Sequence, residues 1–126
     1  VISFNTGYRE LLEAFKCTGD INIATVHTFL RILSKTPDTF IARKIGLKKV
    51  KTVDQAVKLG IKETLWISKT AEQVLNQGGL TTQEGKASLW EFDEKLQNLG
   101  KDYSPGTTAD LTANSLMIAL LCGLEF

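Results

Sequence analysis

Apolar side chains recur along this chain at steps of three and four, and nowhere do they alternate cleanly with polar ones. Residues at that spacing share one face of a helix, whereas a half-buried strand needs a period of two. No Asn-Gly or Asp-Gly pair is present to turn a hairpin. The expectation is therefore an all-α fold, an antiparallel bundle of about six helices joined by short connections. With 43% hydrophobic residues the chain can bury a core of its own, so 1–126 reads as a single helical domain.

The helices can be placed from their stripes and punctuation. Tyr8, Leu11, Leu12 and Phe15 share a face over 8–16, and Thr18-Gly19 stops that helix. Asp20 caps a second helix that is apolar on most sides, through Ile21, Ala24, Val26, Phe29, Leu30 and Leu33, and that Pro37 ends; it is the candidate centre of the bundle. A short helix over 39–45 has Asp38 as its cap and Gly46 as a left-handed terminator. A long helix then runs from Thr52 or Asp54 to Asn76, closed by Gly78-Gly79, with Gly60 inside it marking either a close crossing or a break. Thr81 and Glu84 have capping-box spacing and open a helix to Gly100, with Leu89, Phe92, Leu96 and Leu99 as its stripe. The last helix begins near Thr107 and continues to about Gly123.

Composition excludes several functions. Fifteen basic residues nearly cancel fourteen acidic ones, so no net field favours nucleic acid or an anionic membrane. The apolar run 116–124 has about half the roughly 20 residues that a membrane span needs and reads as a buried helix. Cys17 and Cys122 lie far apart and outside any C-x-x-C pair, the usage of a reduced compartment in which thiols pack as small apolar groups. No basic region followed by an apolar one opens the chain, so a cytoplasmic location is expected. Met117 is the only methionine, and the chain is expected to be part of something longer.

Two segments can carry chemistry. In Ser104-Pro105-Gly106-Thr107-Thr108-Ala109-Asp110 a Pro-Gly turn, two hydroxyls and the amide groups of a helix start converge on one place. Such an end can hold phosphate, and Asp110 in the first turn can hold a divalent cation that bridges to it. The plainer alternative is that Thr107 caps the helix and Asp110 offsets its dipole. In Asp38-Thr39-Phe40-Ile41-Ala42-Arg43-Lys44 a carboxylate and a guanidinium can line one edge of a pocket, Arg being suited to bidentate phosphate binding. Here the alternative is a cap with a surface ion pair. His27, the only histidine, lies within an apolar helix and reads as a core or interface residue with one hydrogen bond. Lys48, Lys49 and Lys51 read as a solvated linker.

Taken together, Ser104-Pro105-Gly106-Thr107-Thr108-Ala109-Asp110-Leu111-Thr112-Ala113 and the Asp38-Thr39 segment with the basic residues up to Gly46 resemble the triphosphoribosyl-dephospho-coenzyme A synthase family, its archaeal-type members in particular. The resemblance covers nearly the whole chain but only the C-terminal half of a family member. It implies an all-helical transferase that joins the triphosphoribosyl part of ATP to 3'-dephospho-CoA and releases adenine, with Mg²⁺ accompanying ATP. By the resemblance, Asp38, Thr39, Arg43, Lys44, Ser104, Gly106, Thr107 and Thr108 become substrate or phosphate contacts, and Asp110 and Asp38 metal contacts.

Three positions depart from the bacterial pattern. Pro105-Gly106-Thr107-Thr108 stands for Pro-Gly-Gly-Ser, Phe40 for an Asn, and Arg43-Lys44 for His-Arg. The family's N-terminal half, with its His-Lys-Gly segment, has no counterpart here. The fragment alone is expected to be inactive and the full-length chain active. The fragment is also expected to pack against that half, to form a homodimer or to expose an apolar patch. The alternative is a noncatalytic helical binding or assembly module derived from the same fold.

Overall fold

A computed structural model describes residues 2–123 and 125, and among these it holds helices and turns but no strand. A π-helical turn, Ser3–Tyr8, runs directly into α1 (Arg9–Thr18), followed by α2 (Ile21–Lys35), α3 (Thr39–Leu47), α4 (Val53–Glu63), α5 (Leu65–Asn76), α6 (Gln83–Leu99) and α7 (Gly106–Leu121). Single 3₁₀ turns, Gly79–Thr81 and Lys101–Tyr103, precede α6 and α7.

Local chemistry accounts for most of the boundaries. Gly19 closes α1 in the left-handed conformation at φ 67°, and the Asp20 carboxylate accepts from Asn22 N and Ile23 N to open α2. Thr36 is extended, as a residue before proline prefers, and α2 ends there. Asp38 opens α3 by accepting from Ile41 N at 3.1 Å.

Other boundaries differ from the sequence reading. The single helix expected over 52–76 is two: Thr64, at φ −106° and ψ 12°, leaves helical geometry while its amide and its hydroxyl both still reach the Gly60 carbonyl, the latter at 2.6 Å. Seven α-helices therefore stand among the described residues, where about six were expected. Gly46 is no left-handed terminator: it lies inside α3 with negative φ. A Cβ added to Gly46 would collide with the Ala56 backbone, and one added to Gly60 with the Ala42 backbone, so α3 and α4 cross through a reciprocal pair of Ala-x-x-x-Gly faces. Of the two meanings open for Gly60, the close crossing holds. The α6 cap is Thr82, whose hydroxyl accepts from Gly85 N, while the Thr81 hydroxyl donates to the Gly78 carbonyl. The Thr81–Glu84 capping box therefore does not form: the 3₁₀ turn occupies Thr81, the cap falls one residue later, and Gly85 at the third position has no side chain to complete a box.

Helix α2 packs on α1, α5 and α7 and forms the centre. The larger core joins Leu30 and Leu33 of α2 to Ile41, Ile45, Ile67, Ala71, Val74 and Phe92. A smaller one joins Leu11, Ala14, Ala24 and Ala119. The end of α7 is not buried as its composition suggested: Met117, Leu120 and Leu121 are exposed, Leu121 to 80%. Leu124, the last residue of that apolar run, lies outside the described residues. Cys17 and Cys122 are free, and both are exposed rather than packed. No helix among the described residues is long and apolar enough to cross a membrane.

Candidate functional site

The two segments singled out in the sequence meet in space, and Asp38 joins them. Its carboxylate is 5% exposed and accepts at both oxygens, one from Ile41 N and the other from Thr108 N and the Thr108 hydroxyl, each at 2.8 Å. One buried anion thus satisfies the positive ends of α3 and α7 together. Position N-cap of α7 falls on Pro105, which has no side chain to offer, so Asp38 supplies the cap from another helix. Thr107 does not cap: its hydroxyl lies 3.1 Å from that of Thr39 on the outer side of the same junction. Thr108, 1% exposed, holds the turn from within.

On the outer side Phe40 is half-buried, and its ring lies in van der Waals contact with the space beside Gly106. Lys44 Nζ sits 4.3 Å above that ring and Arg43 Cζ 5.8 Å from its centre, so the ring gathers both cations near the α7 start. Arg43 is exposed while Asp38 is buried, and the two do not line one edge as the helical spacing suggested. Lys48 and Lys49 are not bare linker charges: Lys48 pairs with Asp102 at 2.9 Å and Lys49 with Glu63 at 2.6 Å. The Lys48 hydrogen bond holds the Asp102 carboxyl below the usual carboxylate range and raises Lys48 in turn.

That pair fastens the turn Lys101–Tyr103 to the end of α3, and Tyr103 leans on Trp66 with ring centres 6.5 Å apart. The fastened turn closes one end of a cleft of 550 Å³ between α2 and α6. Its walls are apolar and aromatic, from Val26, Phe29 and Leu30 on one side, Leu89, Phe92 and Leu96 on the other, and Tyr103 at the end. Asp93, Gln97, Lys101 and Ser104 supply its polar rim. An apolar hollow with a few convergent polar groups is the ordinary form of a small-molecule site. The sequence reading found the rim through Ser104 but missed the walls, because Phe29 and Phe92 read only as core stripe positions.

A family model described as CitG, ATP:dephospho-CoA triphosphoribosyl transferase, matches residues 2–125. The chain belongs to that family. Among curated proteins, the 2-(5''-triphosphoribosyl)-3'-dephosphocoenzyme-A synthase of Klebsiella pneumoniae is 31% identical over 96 residues, which is 76% of this chain and 26% of that relative. The transferase-family chain thus matches about a quarter of the relative's length. No solved structure matches it.

The donor set bears on Mg²⁺. Both Asp38 oxygens are already engaged, and Asp110 is exposed and lies beyond the first turn of α7, which starts earlier than expected. Among the described residues no group of three or more His, Cys, Asp or Glu side chains comes together. These residues do not fit a resident metal site.

Proposed function

We propose that this chain is the nucleotide-holding part of a transferase that moves the triphosphoribosyl group of ATP onto 3'-dephospho-CoA and releases adenine. The observation that carries the reading is the cleft, an aromatic-walled hollow whose polar end opens beside the shared start of α3 and α7. In this reading the adenine ring lies against Phe29, Phe92 and Tyr103. The triphosphate runs out past Ser104 and Gly106 to the paired hydroxyls of Thr39 and Thr107, with Arg43, Lys44 and Lys101 neutralising its charge. Asp38 and Thr108 keep that surface in shape from beneath. Mg²⁺ arrives with the phosphates of ATP, and Asp110 is the exposed carboxylate nearest in sequence to meet it.

The reaction breaks the bond between ribose C1' and adenine N9. A hydroxyl of the acceptor bonds to C1' and gives up its proton, and adenine leaves with a proton on N9. This chain's share of such a reaction is position and charge neutralisation, and none of its side chains is asked to form a covalent intermediate. The remaining groups, and the acceptor site, are assigned to a longer cytoplasmic protein.

The test has two parts. Calorimetry of this chain with Mg²⁺ and ATP is expected to detect binding, and the Arg43→Ala, Lys44→Ala double variant to weaken it about tenfold. A longer chain incubated with ATP, Mg²⁺ and dephospho-CoA is expected to release adenine, measured chromatographically. Absence of ATP binding would favour the second reading, a noncatalytic helical module. The engagement of both Asp38 oxygens in the fold is the observation on that side.

A further inference from the structure

His27 lies on α2 between the cleft-lining residues Val26 and Phe29 without lining the cleft itself, and its Nε2 accepts a hydrogen bond from Leu80 N at 3.0 Å. Leu80 is the middle of the 3₁₀ turn Gly79–Thr81, and 53 residues separate the partners. The contact continues beyond the ring. A Cβ on Gly79 would fall on the imidazole, and a Cβ on Gly85, in the first turn of α6, would fall on the Gly79 backbone. Imidazole, glycine backbone and the start of α6 therefore form one close stack in which the imidazole is the one side chain.

That stack matters because α6 is a wall of the cleft. Its Leu89, Phe92 and Leu96 face Val26 and Phe29 of α2 across the hollow. Its backbone packs closely on α5 and on the two 3₁₀ turns. At its N-terminal end, the tie to the central helix runs through the turn that His27 holds.

We infer that His27 is a positioning residue that sets the width of the cleft, by holding the Gly79–Thr81 turn and α6 in place while its imidazole is neutral. The inference takes its functional consequence, tighter nucleotide binding, from the reading proposed above. An Nε2 that accepts is unprotonated, so the neutral ring carries its hydrogen on Nδ1. An imidazolium has a hydrogen on each nitrogen and would present a donor to the Leu80 N–H, so protonation breaks the tie and frees the turn. Burial lowers the pKa of His27 below its ordinary value. Glu10 of α1 opposes that lowering and Arg31 of α2, its salt-bridge partner at 3.3 Å, adds to it. The turn itself, Gly79-Leu80-Thr81, brings no charged side chain to the ring.

The experiment compares wild type with His27→Gln, which offers a non-titrating acceptor at similar reach, and with His27→Ala. Amide exchange of 83–99, corrected for intrinsic rates, and ATP affinity are measured between pH 5 and 8, with the His27 titration and tautomer followed by ¹⁵N NMR. The expected result is an Nδ1–H tautomer and a loss of α6 protection and of ATP affinity, each about tenfold, as His27 protonates. The Gln variant is expected to stay flat with pH, and the Ala variant to behave at every pH as wild type does when acid. Unchanged α6 protection through the His27 titration overturns the inference, whatever ATP does. Protection that follows His27 in a protein that binds no ATP leaves the positioning role standing and removes the nucleotide reading. If His27→Ala fails to fold, the wild-type titration against the flat Gln variant decides alone.

Discussion

At the α3–α4 crossing, backbone rests on backbone; at the N-terminal end of the α6 wall, the tie to the central helix runs through one imidazole nitrogen. The first region has two glycines whose absent side chains let carbonyls of the partner helix approach, and a buried carboxylate that caps α3 and α7 together. At the crossing itself nothing can yield by rotating a side chain. In the second region α6 keeps only Gly85 and Phe92 fully buried, and Trp90 is 70% exposed. The contrast suits a site that needs a fixed floor for charged groups and an adjustable wall for an apolar one, since opening free energy follows local packing.

The largest way to break the contrast is to remove its fixed point. Asp38→Ala leaves the Thr108 amide, the Thr108 hydroxyl and the Ile41 amide without their acceptor inside the protein. A loss of about 4 kcal/mol in unfolding free energy is expected from urea titration, and Asp38→Asn, which keeps a single acceptor oxygen, should lose about half of that. Gly60→Ala comes next. Its methyl group meets the Ala42 carbonyl, so α3 and α4 must separate. A net loss of about 2 kcal/mol is expected, even though alanine in an open helix would gain about 1. A variant as stable as wild type would mean that the crossing is as adaptable as the α6 wall.

How much of this could be read from the amino acids depended on how far apart the partners lie. The caps at Asp20 and Asp38, the stop at Gly19 and the end before Pro37 are local, and the structure has them where the sequence put them. Gly46 was misread because a terminating glycine and a close-approach glycine look identical until the partner helix is known. Thr64 carries no breaker signature, and its hydroxyl bond to the carbonyl four residues back is one that Thr28 and Thr70 also make inside unbroken helices, so nothing local marks the division. The role of Asp38 was half legible. Its cap on α3 is three residues away, but its bonds to Thr108 span 70 positions. For His27 a single hydrogen bond was expected, and the partner turn was not. The cleft walls were hidden for the same reason, since a phenylalanine lining a hollow and one filling a core occupy the same place in a helical stripe.

A third effect is smaller and acts through pH. His27 in the folded chain binds its proton less readily than in the unfolded chain. As pH falls below about 6.5, the ordinary histidine value, the unfolded state takes up the proton first. Stability from this source is therefore complete above that value and declines as pH drops towards the lowered folded value. Thermal unfolding of wild type should show the decline, and His27→Gln should remove that part of it. A wild-type curve that rose on acidification through this window would contradict the lowered value and the accepting role of Nε2.

The smallest change sharpens the comparison most, because it touches the wall without touching the histidine. Thr82 accepts from Gly85 N at 2.9 Å and donates to the Gln77 carbonyl at 2.6 Å, so its hydroxyl bridges the end of α5 and the start of α6. Thr82→Ala removes both bonds at an exposed position, and a loss of about 1 kcal/mol is expected, with Thr82→Ser restoring most of it. Because the loss is local, amide exchange should quicken in the first turns of α6 and remain unchanged at the α3–α4 crossing. If both regions quickened together, the molecule would open as one unit, and the distinction between a rigid floor and an adjustable wall would fail.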